Sequence, residues 1–137
     1  LPGANVSDRD DGWTHNYRDP DVVVVRAGGA AADRGTHWVG GPDLVVEVSS
    51  PGEDPRAKNA FYAGIGVREV LVIDRDPWAV ELYHPTAGTL TLAGRSDGAN
   101  PAVLVSVALP LTFRLRPAAP WPLVEVTDTR TGQAWRL

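Results

Sequence analysis

Cysteine is absent from the 137 residues. That excludes a disulfide scaffold, a thiolate zinc site and a cysteine nucleophile together. Long hydrophobic runs are missing as well. No apolar stretch approaches the roughly 20 residues a helix needs to cross a bilayer, and runs such as Val22 to Val25 have the length of a strand. Leu1-Pro2-Gly3 is neither basic nor followed by an apolar stretch, so no secretory leader is expected there and a cytoplasmic location is. Net positive charge is lacking too. A formal charge of -4 is not the broad basic footprint of a general DNA binder. Any nucleic acid has to be held by local arginines, by metal or across a dimer groove.

The scarcest charged residue is lysine. Of the 13 basic residues, Lys58 is the only one that is not arginine. The chain is rich in Ala, Gly, Pro, Val and Asp, as a GC-rich gene encodes, and in such a background surface cations drift to arginine. A lone lysine either marks a place where arginine would not serve or is a chance survivor on a helix face. Composition leaves both open, and location has to decide.

The length fits one domain over 1–137 and is too short for two. A chain of this size buries roughly 68% of its unfolded surface, enough for a core without staples. Residues 1–19 are turn-rich, with a short strand expected near Thr14 to Arg18. Asp21 to Arg26, four valines behind an aspartate, reads as a strand buried on both faces. A small-residue loop over 28–41 precedes a second strand, Asp43 to Ser50. Ser50 to Glu53 has capping-box spacing, and Asp54-Pro55 offers an N-cap with proline in the first turn. The spacing then predicts a helix over 55–65, with Ala57, Ala60, Phe61 and Ile65 inward and Gly66 as its left-handed end.

Glu69 to Asp74 is a third buried strand. The unit 43–74 is therefore strand, helix, strand, long enough for a parallel crossover. Further strands are expected over 79–83, 89–93, 103–109, 124–127 and 133–137, with 117–122 a proline-rich connector. The fold class expected is α/β: a mixed sheet with a flanking helix and a β-rich C-terminal extension.

Glu47 is the anomaly. It interrupts an apolar strand between Val46 and Val48, where an unpaired buried carboxylate is expensive and tends to take up a proton. A divalent cation is one remedy; an arginine partner at a sheet edge is the other. Asp21, at the start of the valine strand, is either a second ligand or a turn former. Magnesium tolerates a site with one or two carboxylates completed by water and phosphate. Lys58 falls in the first turn of the helix that follows Glu47's strand, with Asp54 and Tyr62 one turn to either side. From there an ammonium can reach toward Glu47, where it would orient water or stabilise phosphoryl charge better than arginine's wider fork. Two carboxylates and a lysine around a metal form a phosphodiester-cleaving set.

Pro20-Asp21 before the valines, Gly41-Pro42-Asp43 through Glu47 to Ser50-Pro51, Lys58 with Tyr62, Gly66-Val67, Glu69 and Val72-Ile73-Asp74 follow in a set order. The series resembles the Uma-two family of restriction-endonuclease-like proteins, in the PD-(D/E)XK superfamily, over about residues 17–83. The resemblance implies a restriction-endonuclease-like fold and a nuclease acting on DNA with Mg2+ or Mn2+, often as a homodimer. It implies Asp21 as the metal-binding aspartate and Glu47 as the acid of the E-x-K strand motif. The lysine position on that strand is Ser49 here, and Lys58 on the helix takes its place. The carbonyl of Val48 is implied as a further ligand. Two features depart from the family: its usual N-terminal segment, with an added acidic residue, is expected to be missing, and Ser49 stands where an apolar residue is usual.

Asp43, four residues before Glu47, is either an additional ligand or a turn residue after Pro42. Ser50 is placed for phosphate contact or helix capping, and Tyr62 for packing around the lysine. His15, His37 and His84 lack metal-ligand spacing. Asp8 to Gly12 is not a calcium loop, because its glycine comes one position early and no glutamate closes it. Two rival readings remain. In one, the nuclease scaffold is catalytically inactive and serves as an interaction or DNA-binding module. In the other, a structural β-rich protein pairs Glu47 with arginine and leaves Lys58 in solvent.

Overall fold

The computed structural model describes Leu1 and residues 3–136. The N-terminal part supplies β1 (Val6–Ser7), β2 (Tyr17–Arg18), β3 (Val22–Val24), β4 (Ala32–Asp33) and β5 (Trp38–Val39). Next come β6 (Leu44–Val48), a 3-10 turn (Pro55–Lys58) running into α1 (Asn59–Gly64), and β7 (Val70–Arg75). β8 (Trp78–Thr86) and β9 (Thr89–Asp97) form a long hairpin. β10 (Leu104–Val105), β11 (Leu111–Arg116), β12 (Leu123–Asp128) and β13 (Ala134–Arg136) follow.

These strands make an α/β fold of mixed sheets with one short helix. The main sheet has the order β3-β6-β7-β8-β9, and a C-terminal sheet runs β10-β11-β12-β13. A smaller sheet, β2-β1-β5-β4, gathers the N-terminal strands. β6 and β7 are parallel, and every other pair in the main sheet is antiparallel. The helix is the crossover that makes that parallel pair possible. Among the described residues no helix is long and apolar enough to cross a membrane.

Strand alternation sends successive side chains to opposite faces. Leu44 and Val46 join Leu71, Val80 and Leu82 against Phe113, Leu115 and Val124 of the C-terminal sheet. Val45, Val70 and Val72 point the other way, onto Tyr62 and Val67. Glu47 shares that second face, beneath the helix.

Several expectations need correction. β3 is an edge strand of three residues in which only Val23 is fully buried. Pairing stops at Val24 because Asp43 turns its carboxylate back onto the Arg26 N–H, 2.8 Å away, and draws the chain off the sheet. The loop 28–41 contains β4 and β5, and the strand expected near Thr14 begins only at Tyr17, after a 3-10 turn. The run 103–109 is not one strand. After Val105 it wraps over Glu69, whose carboxylate accepts the Ser106 hydroxyl, the N–H groups of Val107 (3.1 Å) and Ala108 (2.8 Å), and His84 Nε2 (2.7 Å). β11 was not expected at all. In the strand expected over 133–137, Leu137 lies outside the described residues, as does Pro2 in the first turn.

The helix begins and ends where its local chemistry requires. Asp54 caps it through the Arg56 N–H at 3.1 Å, with Pro55 behind. At the other end Gly66 adopts φ 83, Gly66 N–H reaches Ala63 O and Val67 N–H reaches Tyr62 O, a Schellman closure. Its inward face differs from the one predicted. Ala57 and Ala60 are exposed, while Tyr62 is fully buried with Phe61 and Ile65 at its sides. The inward stripe is set by what the sheet offers, and at this point the sheet offers Glu47. Gly41 fixes the far end: a Cβ there would stand 2.1 Å from the carbonyl carbon of Gly66.

Candidate active site

Glu47 is 2% exposed, and both of its carboxylate oxygens are engaged. Oε2 accepts from Lys58 Nζ at 3.0 Å, and Oε1 accepts the hydroxyl of Tyr62. A buried carboxylate with neither partner would carry a desolvation penalty of several kcal/mol; here an ammonium and a phenol offset it. Burial, with the Glu47 carboxylate alongside, pushes the Tyr62 hydroxyl far above the usual phenol range. Tyr62 is therefore a fixed neutral donor.

Asp21 arrives from the neighbouring strand. β3 and β6 pair antiparallel with Val22 opposite Val46, and continuing that register by one step sets Asp21 opposite Glu47. Opposed residues of such a pair have Cβ atoms roughly 5 Å apart. Asp21 is exposed, and its Oδ2 accepts the Val48 N–H at 2.7 Å. This bond ties the end of the valine strand to β6. Pro20, fully buried before it, helps fix the turn.

A cavity of about 260 Å³ opens above these groups. Asp19, Asp21, Glu47, Val48, Ser50, Glu53, Pro55 and Lys58 line it. Five residues singled out from the sequence thus meet around one space: Asp21, Glu47, Val48, Ser50 and Lys58. Tyr62 lies under Glu47 as its donor, a more specific contact than packing. Asp43 is not brought here. It sits at the opposite end of β6, its carboxylate taken by the Arg26 N–H and by Arg68 at 3.3 Å. Ser50 does not cap the helix, because Asp54 does.

Asp19 and Glu53 line the cavity without having been singled out. Asp19 stands two residues before Asp21 in Asp-Pro-Asp, a spacing that could have suggested it. Glu53 has capping-box spacing from Ser50, but its N–H closes a turn on Ser50 O at 3.1 Å.

Four carboxylates and one ammonium around a small polar space leave excess negative charge, which favours a cation. No cluster of three or more His, Cys, Asp or Glu side chains is close enough to hold a metal among the described residues. Any ion held here would take at most one or two carboxylates from the protein and complete its shell with water or substrate oxygens. Lys58 does not point to solvent: its side chain is 24% exposed and bonded to Glu47. That removes the structural reading in which Glu47 pairs with arginine.

Arg56, two residues before Lys58, anchors the same turn to the sheet. Its Nε donates to Glu81 Oε1 at 2.9 Å and to the Tyr83 hydroxyl at 3.1 Å, while its terminal nitrogens reach Asp54, Asp74 and Glu81. These acceptors, Asp74 foremost, hold the guanidinium charged and raise its already high pKa. A larger cleft of about 1180 Å³ adjoins the acidic cavity and shares Ser50, Glu53 and Pro55 with it. The larger space is not where the candidate chemistry lies.

Residues 5–129 match the family Uma2, whose description reads "Putative restriction endonuclease". No curated protein matches the chain.

Proposed function

The chain belongs to the Uma2 family, and from that membership and the geometry of the acidic cavity we propose that it is an endonuclease hydrolysing DNA phosphodiester bonds with a divalent cation, magnesium or manganese. Asp21 and Glu47, with the carbonyl of Val48, would hold the ion. When bound, such an ion polarises a phosphoryl oxygen and acidifies water. One observation carries the reading: the only lysine of the chain reaches Glu47 Oε2 at 3.0 Å inside the cavity that Asp21 also lines.

The protein's own groups have distinct parts. Lysine carries three donors, and Lys58 uses one on Glu47. The others are available to orient a water for in-line attack and to stabilise charge developing on the phosphoryl group. Tyr62 keeps Glu47 from rotating. Asp21, bonded to the Val48 N–H through one oxygen, keeps the other oxygen for the cation. Two such centres in a homodimer would serve the two strands of a duplex.

The test is nicking of supercoiled plasmid with magnesium or manganese. Wild type should nick, and Glu47→Gln should lose the activity; equal rates would remove the mechanism. A second reading, an inactive nuclease-fold module that binds DNA or a protein, is favoured by the engagement of both Glu47 oxygens. Calorimetry separates the two, since the inactive module predicts no magnesium or manganese site.

A further inference from the structure

Trp78, Pro120, Trp121 and Pro122 are among the residues lining the cleft beside the acidic cavity. Trp121 is 67% exposed, and among the described residues it stacks on no other aromatic ring. A large exposed ring in the lining of a cleft can serve as a stacking platform. At about 1180 Å³ the cleft exceeds the roughly 300–1,000 Å³ of ordinary small-molecule sites.

Charge narrows the choice of occupant. The cleft holds Arg56 and Arg75 against Glu53, Asp54, Asp74 and Asp76. Arg56 is consumed by its carboxylate partners, whereas Arg75 makes no ion pair among the described residues and spends only its Nε, on Ser49 O at 3.2 Å. This balance does not suit a run of phosphates. It suits one flat aromatic group that offers amino hydrogens to the carboxylates, with Arg75 left for a single phosphate. A nucleobase has amino donors on its edge and a π-face for tryptophan. Proximity completes the argument: the cleft adjoins the cavity proposed for the scissile phosphate and shares Ser50, Glu53 and Pro55 with it as lining.

We propose that this cleft receives an unpaired base of the DNA strand, next to the bond to be cut, stacked on Trp121. The inference rests on the nuclease reading for its substrate, and it adds that the substrate is single-stranded or locally opened. Inside a duplex, stacking on its neighbours covers a base's faces and pairing occupies its Watson–Crick edge, so neither is free for the cleft.

The experiment measures binding without cleavage. Fluorescein-labelled single-stranded oligonucleotide and the blunt duplex of the same sequence are titrated in EDTA against wild type, Trp121→Ala and Trp121→Phe, with anisotropy as the readout. The single strand should bind wild type more tightly than the duplex does. Trp121→Ala should weaken the single strand about tenfold, the loss of one base–aromatic stack, and leave the duplex unchanged. Trp121→Phe should keep most of the affinity. Equal binding by Trp121→Ala and wild type, equal losses on both DNAs, or no single-strand binding by wild type each overturn the proposal. Tryptophan-dependent binding by a protein that nicks no plasmid would sink the nuclease reading alone. Nicking without dependence on Trp121 would sink this inference alone.

Discussion

Glu47 and Glu81 lie in one cross-strand row, with Val72 between them as the partner of both. Each is paired with a cation from the same helical turn, Lys58 for Glu47 and Arg56 for Glu81. The turn is thus fastened to the sheet at two points. Lys58 has a defined place over Glu47 because Arg56 holds the other end.

Arg56→Met should be strongly destabilising. It leaves Glu81, 7% exposed, and Asp74 without their principal cation. Stripping a largely buried carboxylate of its partner costs about 3 kcal/mol. Arg95 also contacts Glu81, at 3.3 Å, but is more exposed, so Arg95→Met should cost under about 1 kcal/mol. Urea unfolding of the two variants checks the contrast; equal midpoints would count against the two-point attachment.

Tyr62→Phe tests the support beneath Glu47. Losing the hydroxyl leaves a buried carboxylate oxygen short of a donor, a penalty of about 1–3 kcal/mol. There is also an effect of pH. The folded pKa of Tyr62 is raised above its ordinary value of 10.0, so its contribution is fully present below pH 10. Above that the unfolded chain releases a proton that the folded one keeps, and stability falls as pH rises. Urea midpoints from pH 8 to 11 should decline in wild type and decline less steeply in Tyr62→Phe. Identical slopes would show that Tyr62 is not held neutral.

Gly41→Ala should be severe for so small a change. The added carbon meets only backbone, at Gly66 and Val67, 2.1 to 2.4 Å away. Backbone cannot swing aside, so overpacking should cost about 3 kcal/mol and loosen the loop after the helix. Thermal unfolding of the variant measures it, and a melting temperature within a degree of wild type would contradict the packing described.

How far the sequence carried depended on whether a signal was local. Glu47 was legible because a charge inside Leu-Val-Val-Glu-Val violates strand patterning, and Lys58 because it is the lone lysine. Asp21 rested on the family resemblance. The helix ends were readable from Asp54-Pro55 and Gly66. Its inward face was not, because hydrophobic spacing counted Ala57 and Ala60 and missed that a buried glutamate would draw Tyr62 and Lys58 inward. Glu69 misled in the same way: the apolar run 103–109 reads as a strand until its amides are seen to be committed to that carboxylate. β11 carries a legible strand alternation, Leu111, Phe113 and Leu115 with Thr112, Arg114 and Arg116. The pairing of Arg56 with Glu81 spans 25 residues, and no local pattern announces it.

The sharpest measurement is the rate of plasmid nicking by Lys58→Arg in magnesium, beside wild type and Glu47→Gln. Arginine retains the charge and a bond to Glu47 but lacks the compact ammonium that orients water. The account predicts a folded Lys58→Arg protein slower by about a hundredfold, close to the Glu47→Gln background. Lys58→Arg nicking at the wild-type rate would contradict it.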